Sequence, residues 1–237
     1  MKNPEPISEQ QPAPSLPTKA RILLAAESLF AERSVEAVSF REIAAVAGQQ
    51  NTNAVQYHFK TKDRLVQAIF LFRVGQMNER RTRMLADAER LGLLDDLHTL
   101  LRIVYLPYCD LVDHQGRHSY AGFLSQYVSR YLPAGILHAV DLDVPETNII
   151  RRLLALIRQR LRHLPEYVNA RRMGIATQIV TYTLMYWDNE KQADAAPRVP
   201  LGPLIDDAID AAVALLCAPH RSPAIEQLVS DDWVYRT

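Results

Sequence analysis

The segment from Ala47 to Lys62 constrains the fold of this chain more than any other part of its 237 residues. Gly48 can adopt the left-handed conformation that ends many helices. Amide and hydroxyl side chains fill most of the next positions, and Lys60 and Lys62 close the segment. This succession is typical of a helix-turn-helix, in which a short second helix lies in the major groove of DNA.

Two helix starts are predicted upstream of this segment. The first helix is expected to begin at Thr18, whose hydroxyl can cap it. Its apolar residues recur at helical spacing at Ile22, Leu23, Ala26, Leu29 and Phe30. Ser39 is followed three residues later by Glu42, which predicts a capping box at the start of a second, short helix that ends at Gly48.

The polar residues after Gly48 are the candidate DNA contacts. Asn and Gln side chains offer a donor beside an acceptor, as the major-groove edge of adenine requires, and Thr can contact the methyl group of thymine. A polar helix by itself is more often a solvated surface element, and Asn51 can equally be a helix cap. The capped helix before the segment and the basic residues after it favour DNA binding.

Residues 18 to 70 resemble the DNA-binding domain of the TetR-like (tetracycline-repressor) transcriptional regulators. The resemblance rests on Phe40-Arg41-Glu42-Ile43-Ala44, then Ala47-Gly48, then Tyr57-His58-Phe59 followed by Lys62. It implies a homodimer that binds a DNA operator through its N-terminal domains and senses a small-molecule effector through a helical C-terminal domain. The family pattern makes Thr52, Asn53 and Gln56 the base-edge candidates, and Tyr57, His58 and Lys62 the phosphate candidates.

The segment departs from the family pattern in two ways. The turn after Gly48 is one residue longer than in most relatives, and Gln56 stands where many of them carry a phosphate-contacting Tyr. Tyr57 follows one position later, so the angle at which the recognition helix enters the groove can differ. His58 can equally be a neutral residue that packs at the helix end.

The sequence predicts an all-α fold with four parts. Residues 1–17 are rich in Pro and are expected to form a disordered arm. Residues 18–64 form the helix-turn-helix domain, residues 65–218 a helical ligand-binding and dimerisation domain, and residues 219–237 a tail. A fourth helix from Asp63 is expected to connect the two domains as a lever, and further helices are predicted around residues 93–113, 119–131, 146–163, 168–187 and 201–217.

Composition agrees with a regulator but does not by itself predict one. The 27 Lys and Arg residues balance the 27 Asp and Glu residues, whereas residues 18–64 contain seven basic and five acidic residues. Affinity for phosphates must therefore come from the placement of charges on one face. The two cysteines have no C-x-x-C partner, and no apolar run approaches a membrane span. A cytoplasmic protein without cofactor or metal is expected.

The last two predicted helices carry the best signal for dimerisation. Their apolar faces comprise Ile175, Ala176, Ile179, Val180, Thr183 and Trp187, and Leu201, Leu204, Ile205, Ala208, Ile209, Ala212, Val213, Leu215 and Leu216. Such faces can equally form the core of one protomer. Relatives in the TetR-like family pair these helices across a two-fold axis, which implies a palindromic operator with half-sites one DNA turn apart, ~34 Å.

Aromatic residues are dense between the lever and the dimerisation helices, and some can line an effector pocket. Tyr105, Phe123, Tyr127 and Tyr182 are the pocket candidates, although aromatic residues at helical spacing can simply fill a core. The family most often represses, so we expect the effector to release the operator.

Two other functions compete with this one. Asp110, His114 and His118 could form the metal site of a helical-bundle enzyme, but the neighbouring Gly116 and polar residues favour a solvated turn. A TetR-like fold that has lost DNA binding could instead act as a protein-interaction module. The arginines between Arg151 and Arg162 could meet an anionic ligand, but they are more typical of a solvated helix face.

Overall fold

The computed structural model describes residues 16–49, 51, 53–133, 138–193 and 199–220, and these residues are helical with no strand among them. The helices, in chain order, are α1 (Thr18–Glu32), α2 (Phe40–Val46), α3 (Ala54–Phe59), α4 (Lys62–Arg90), α5 (Leu97–Tyr105), α6 (Ser119–Gln126), α7 (Asn148–Arg160), α8 (Glu166–Gln192) and α9 (Leu201–Cys217). The all-α prediction is confirmed. The predicted arm lies outside the described residues up to residue 15, and the predicted tail does so from residue 221.

The short helix α2 begins as the sequence predicts. The Ser39 hydroxyl accepts from the Glu42 amide, and the Glu42 carboxylate accepts from the Ser39 amide, so the capping box is complete. Gly48 has a φ of +66°, which only a glycine adopts without strain, and it ends the helix. Helix α1 begins at Thr18, but the prediction that Thr18 caps it is wrong, because Pro17 holds the extended N-cap position.

Replacing Ser39 by Ala is expected to destabilise the N-terminal domain in a pH-dependent way. Hydrogen bonds from the Ser39 amide and hydroxyl lower the pKa of Glu42 from 4.5 to about 2. Folding therefore favours the carboxylate, and its contribution is complete above the unfolded-state pKa and is lost as the pH falls towards 2. We expect Ser39→Ala to lower Tm by about 2–4 °C at pH 7 and by less near pH 3. Equal losses at both pH values would contradict this account.

Helix α4 belongs to both predicted domains, because it runs unbroken across the boundary expected at residues 64 and 65. Its first half closes the core of the N-terminal domain, where Leu65 and Ile69 are fully buried with Phe30 and Ile43. Its second half packs against α5 and α7. One rigid element thus links the short helices to the C-terminal domain, as predicted for the lever.

Helices α1 and α6 pack closely at Gly122. A Cβ atom at this position would lie 2.9 Å from the Cβ of Ala31, so only a glycine allows the two helices to come so near.

In the C-terminal domain α8 packs along α9 and also contacts α6. No helix among the described residues is long and apolar enough to cross a membrane. Cys109 and Cys217 are free thiols.

Candidate nucleic-acid interface

Helix α3 has one buried and one exposed side. Val55 and Phe59 are buried in the core of the N-terminal domain and fix the helix to it. Gln56, Tyr57 and His58 are exposed, and 81% of the surface of Tyr57 is accessible. The side chains of Gln56, Tyr57 and His58 are therefore accessible to a partner, because the apolar side chains of Val55 and Phe59 anchor the helix.

The start of α3 is set by the polar residues before it. The helix begins at Ala54, so Asn53 takes the N-cap position and is exposed. The side-chain oxygen of Asn51 accepts from the backbone amide of Asn53 at 2.9 Å and forms a turn before the helix. The alternative role of Asn51 as the helix cap is therefore wrong, because Asn53 holds that position. Thr52 lies outside the described residues. The base-edge candidates Asn53 and Gln56 thus occupy the N-terminal part of the helix, which contacts bases in helix-turn-helix proteins.

Tyr57 and His58 lie side by side at the exposed end of α3. Their ring centroids are 5.5 Å apart in an edge-to-face arrangement, and the His58 ring is 6.1 Å from that of the buried Phe59. The packing role foreseen for His58 and its role as a phosphate candidate are therefore compatible, because the residue touches the anchor and remains exposed.

The third phosphate candidate, Lys62, is engaged within the domain. Its ammonium donates to the carbonyl oxygens of Val35 and Glu36 at 2.7 and 2.8 Å and so closes the loop between α1 and α2. An ammonium has three donors, so one is left for another acceptor. Sequence reasoning did not single out two exposed arginines, Arg41 in the first turn of α2 and Arg64 in the first turn of α4, which take part in no ion pair among the described residues. Basic residues that flank a polar helix are the signal that could have indicated them.

A buried ion pair joins the N-terminal domain to the rest of the chain. Arg73 on α4 donates from Nε and Nη2 to the two carboxylate oxygens of Glu27 on α1, at 2.5 and 2.6 Å. The hydroxyl of Ser119, at the start of α6, donates to the same carboxylate at 2.6 Å. Three helices therefore meet at one carboxylate. Glu27 falls on the apolar stripe of α1, and that position is the sequence signal for its burial.

A second contact holds the loop between α1 and α2 to the C-terminal domain. The backbone amide of Val35 donates to the hydroxyl of Tyr131 at 2.7 Å, and that hydroxyl donates to the Glu36 carboxylate at 3.1 Å. Tyr131 closes the π-helical turn Tyr127–Tyr131, which follows α6 directly. A shift of this turn would therefore move the loop that Lys62 also holds.

Three of the four effector-pocket candidates come together, and the fourth does not. Tyr105, Phe123 and Tyr127 are buried and belong to one group of aromatic residues. Phe70 lies 4.9 Å from Phe123 and 4.7 Å from Tyr127, and Tyr108 joins Tyr105 to Tyr120. Burial raises the pKa of Tyr105 and Tyr127. Tyr182 is 65% exposed on α8 and lies apart from this group, because it faces away from the core.

The residues of the alternative metal site each have a different environment. The Asp110 carboxylate pairs with Arg80 at 2.5 Å, and His114 is exposed in the turn at Gly116. The expectation of a solvated position is wrong for His118, which is buried and bonded to Asp188 on α8 through both its Nδ1 and its amide. No group of three potential metal ligands occurs within the described residues.

The geometry of α2, α3 and the start of α4 defines a helix-turn-helix domain, and residues 22–69 match the family of bacterial regulatory proteins named tetR. This match covers the N-terminal helices only, so the similarity to that family is shown for residues 22–69. No curated protein matches the chain. A crystal structure assigned to a TetR-family transcriptional regulator from Mesorhizobium loti MAFF303099 is 20% identical, and the match covers 84% of this chain and 96% of that chain with a TM-score of 0.39.

Proposed function

We propose that this protein is a transcriptional regulator of the TetR family, that it binds a two-part operator as a homodimer and that a small-molecule effector releases it. The observation that carries the proposal is the exposed polar side of α3, where Asn53 and Gln56 face outward while Val55 and Phe59 anchor the helix. Amide side chains at the start of a recognition helix can bond the edge of adenine. The exposed Arg41 and Arg64 add partners for phosphates on either side.

The outer surface of α8 supports pairing with a second copy. Only some of the apolar residues proposed for dimerisation are exposed. Ala176 and Val180 on α8 and Ile209 on α9 are buried within the protomer, whereas Ile175 is exposed on α8. Tyr182 and Tyr186, which were not among the residues proposed for dimerisation, are exposed on the same side of α8, so a hydrophobic stripe remains on the outside. We assign Tyr182 to this dimer surface rather than to an effector pocket.

Replacing Tyr182 by Glu is expected to weaken the dimer at least tenfold. A carboxylate in place of a phenol at the centre of the stripe would be desolvated opposite its own copy in a two-fold contact. Analytical ultracentrifugation over a range of concentrations measures the change. Tyr57→Glu makes the same exchange on the exposed side of α3 and is expected to leave the dimer intact. An unchanged dissociation constant for Tyr182→Glu would refute this surface.

The release step is proposed to act through α4. This helix contributes Leu65 and Ile69 to the N-terminal core and Phe70 to the aromatic group of the C-terminal domain. An effector that binds among the aromatic residues with different affinity in two arrangements of α4 would shift the spacing of the two heads. The Glu27 and Tyr131 contacts to the N-terminal domain would then move together with α4 and α6.

The function is tested by selection of bound fragments from a pool of random DNA duplexes with the full-length protein. We expect an enriched motif with two inverted half-sites whose centres lie about one helical turn apart, ~34 Å. A pool that remains random after repeated selection would refute operator binding and favour a protein-interaction module.

A further inference from the structure

Arg81, on the lever helix α4, is one of the most deeply buried side chains of the protein, with 1% of its surface exposed. Its Nη2 donates to the backbone carbonyl of Val104 at 2.9 Å. Its Nε and Nη1 are also buried, and neither has a hydrogen-bond partner among the described residues. A guanidinium offers five N–H donors, so the donors on Nε and Nη1 remain available to a further acceptor inside the protein.

Arg81 differs in this respect from Arg73, which lies on the same side of α4. Arg73 is neutralised by both oxygens of Glu27, whereas the ion pairs of the described residues do not include Arg81. Burial lowers the pKa of Arg81, and the nearby phenols of Tyr108 and Tyr120, with a side-chain hydrogen bond between Arg81 and Tyr108, oppose this effect only in part. A buried cation without a counter-ion is costly, and an anion brought to it would relieve that cost.

The surroundings of Arg81 suit the body of an organic molecule. The Tyr108 ring lies 5.9 Å from the guanidinium carbon, and it packs edge to face against Tyr105 and Tyr120. Phe70 and Tyr127 continue the aromatic group. These side chains provide apolar faces together with hydroxyl groups, which is the usual lining of a small-molecule site.

His138 is inserted into the same aromatic group from outside the main helices. It precedes the 3-10 turn Ala139–Asp141, and its ring centroid is 3.9 Å from that of Phe70 and 5.4 Å from that of Tyr127. Burial, and then the charge of Arg81, lower the pKa of His138 to about 3. The imidazole is therefore neutral at pH 7 and occupies the space beside the arginine without competing for an anion.

We propose that Arg81 binds the carboxylate of a small organic anion whose apolar body takes the place of the His138 ring among Phe70 and Tyr127. The inference rests on the proposed function, since this anion would be the effector. Charge-assisted hydrogen bonds from Nε or Nη1 fix the carboxylate, and the displaced imidazole returns to solvent. Because Arg81 lies eight residues after Arg73 on one helix, about 12 Å, the anion acts directly on the lever.

The first test compares carboxylates with their neutral amides on the full-length protein. Benzoate, phenylacetate, hexanoate and octanoate are each added at about 10 mM beside the matching primary amide, and thermal unfolding is recorded. We expect at least one carboxylate to raise Tm by several degrees and its amide to have little effect, because only a bound anion neutralises Arg81. The inference fails if no carboxylate stabilises the protein more than its amide does.

Two variants locate the site. Arg81→Met is expected to abolish the preference for the carboxylate and to leave Tm without ligand at or above that of the wild type, because a buried unpaired charge is removed. Arg80→Met is the matched control, since its neighbouring guanidinium pairs with Asp110, and it should keep the preference. His138→Ala should bind the carboxylate more tightly. If Arg81→Met does not fold, the His138→Ala result decides, and unchanged or weaker binding overturns the inference.

Binding of a DNA duplex obtained by selection separates this inference from the proposed function. A carboxylate that stabilises the wild type but not Arg81→Met supports the anion site even if the protein shows no preference among duplexes, in which case only the proposed function fails. Specific DNA binding together with equal effects of carboxylates and amides refutes the anion site alone. Release of the duplex by the stabilising carboxylate, but not by its amide, supports both.

Discussion

Simultaneous replacement of Thr52, Asn53 and Gln56 by Ala is expected to weaken binding to the selected operator at least ~100-fold while non-specific DNA binding changes little. Each lost base contact costs about 1–3 kcal/mol, and the loss occurs in both subunits of a dimer. Non-specific binding depends on phosphate contacts, which these substitutions leave in place. Equilibrium binding to the selected duplex and to a scrambled duplex of the same composition measures both quantities.

The matched control for this variant removes exposed polar side chains elsewhere. Thr82 on α4 and Gln159 on α7 are exposed and distant in sequence from α3. The Thr82→Ala, Gln159→Ala double variant is expected to keep the affinity of the wild type for both duplexes. Retention of operator affinity in the triple variant, with the fold intact by circular dichroism, would show that α3 does not read bases.

Replacement of Glu27 by Ala is expected to be the most destabilising single substitution considered for this protein. It leaves the Arg73 guanidinium buried without its carboxylate, and the Ser119 hydroxyl loses its acceptor. Breaking a buried ion pair by removing one partner costs about 3–5 kcal/mol, which corresponds to a fall in Tm of about 10 °C for a chain of this size. Thermal unfolding at one fixed protein concentration measures the effect, because dimers unfold in a concentration-dependent way.

Two further variants separate the effect of an unpaired buried charge on stability from the effect of lost packing. A Glu27→Leu, Arg73→Met double variant removes both charges and should recover most of the stability. Arg90→Ala breaks the exposed ion pair with Asp87 and should change stability by less than about 1 kcal/mol. If Glu27→Ala were no more destabilising than Arg90→Ala, the three-helix junction would not depend on this ion pair.

Local signals made the N-terminal domain predictable from sequence. The Ser39 and Glu42 capping box and the stop at Gly48 depend on residues only a few positions apart, and both are present in the structure. Apolar periodicity placed α4 across the domain boundary and α8 and α9 near their observed bounds. The cap of α1 was wrongly assigned to Thr18, because Pro17 and Thr18 both favour a helix start and the proline takes the N-cap position.

Contacts between residues far apart in the chain could not be predicted from the sequence. Lys62 looked like a free basic residue, yet carbonyl groups 26 and 27 positions away hold its ammonium. Tyr182 and Tyr105 were both predicted to line a pocket, because both lie in helices rich in aromatic residues. Only the packing of α8 shows that Tyr182 faces outward. His118 was expected in a solvated turn because its partner, Asp188, is 70 residues further along the chain.

Charged residues within the apolar stripe of a helix are a signal for a buried charge, and the sequence predictions did not use it. Arg73 and Arg81 lie with Val66, Phe70 and Met77 on the buried side of α4, and Glu27 lies on the buried side of α1. A charge at such a position is buried and needs a partner. Arg73 and Glu27 satisfy each other, whereas Arg81 donates to a backbone carbonyl from Nη2, and its Nε and Nη1 have no acceptor among the described residues, which is the basis for the proposed anion site.

The most direct test of the account is the ratio of two dissociation constants of the full-length wild-type protein. One is for the selected duplex and the other for its scrambled counterpart, both at about 0.15 M salt. We predict that the selected duplex is bound at least ~10³-fold more tightly, since two recognition helices read bases while phosphate contacts are common to both duplexes. Equal dissociation constants would contradict operator recognition by α3.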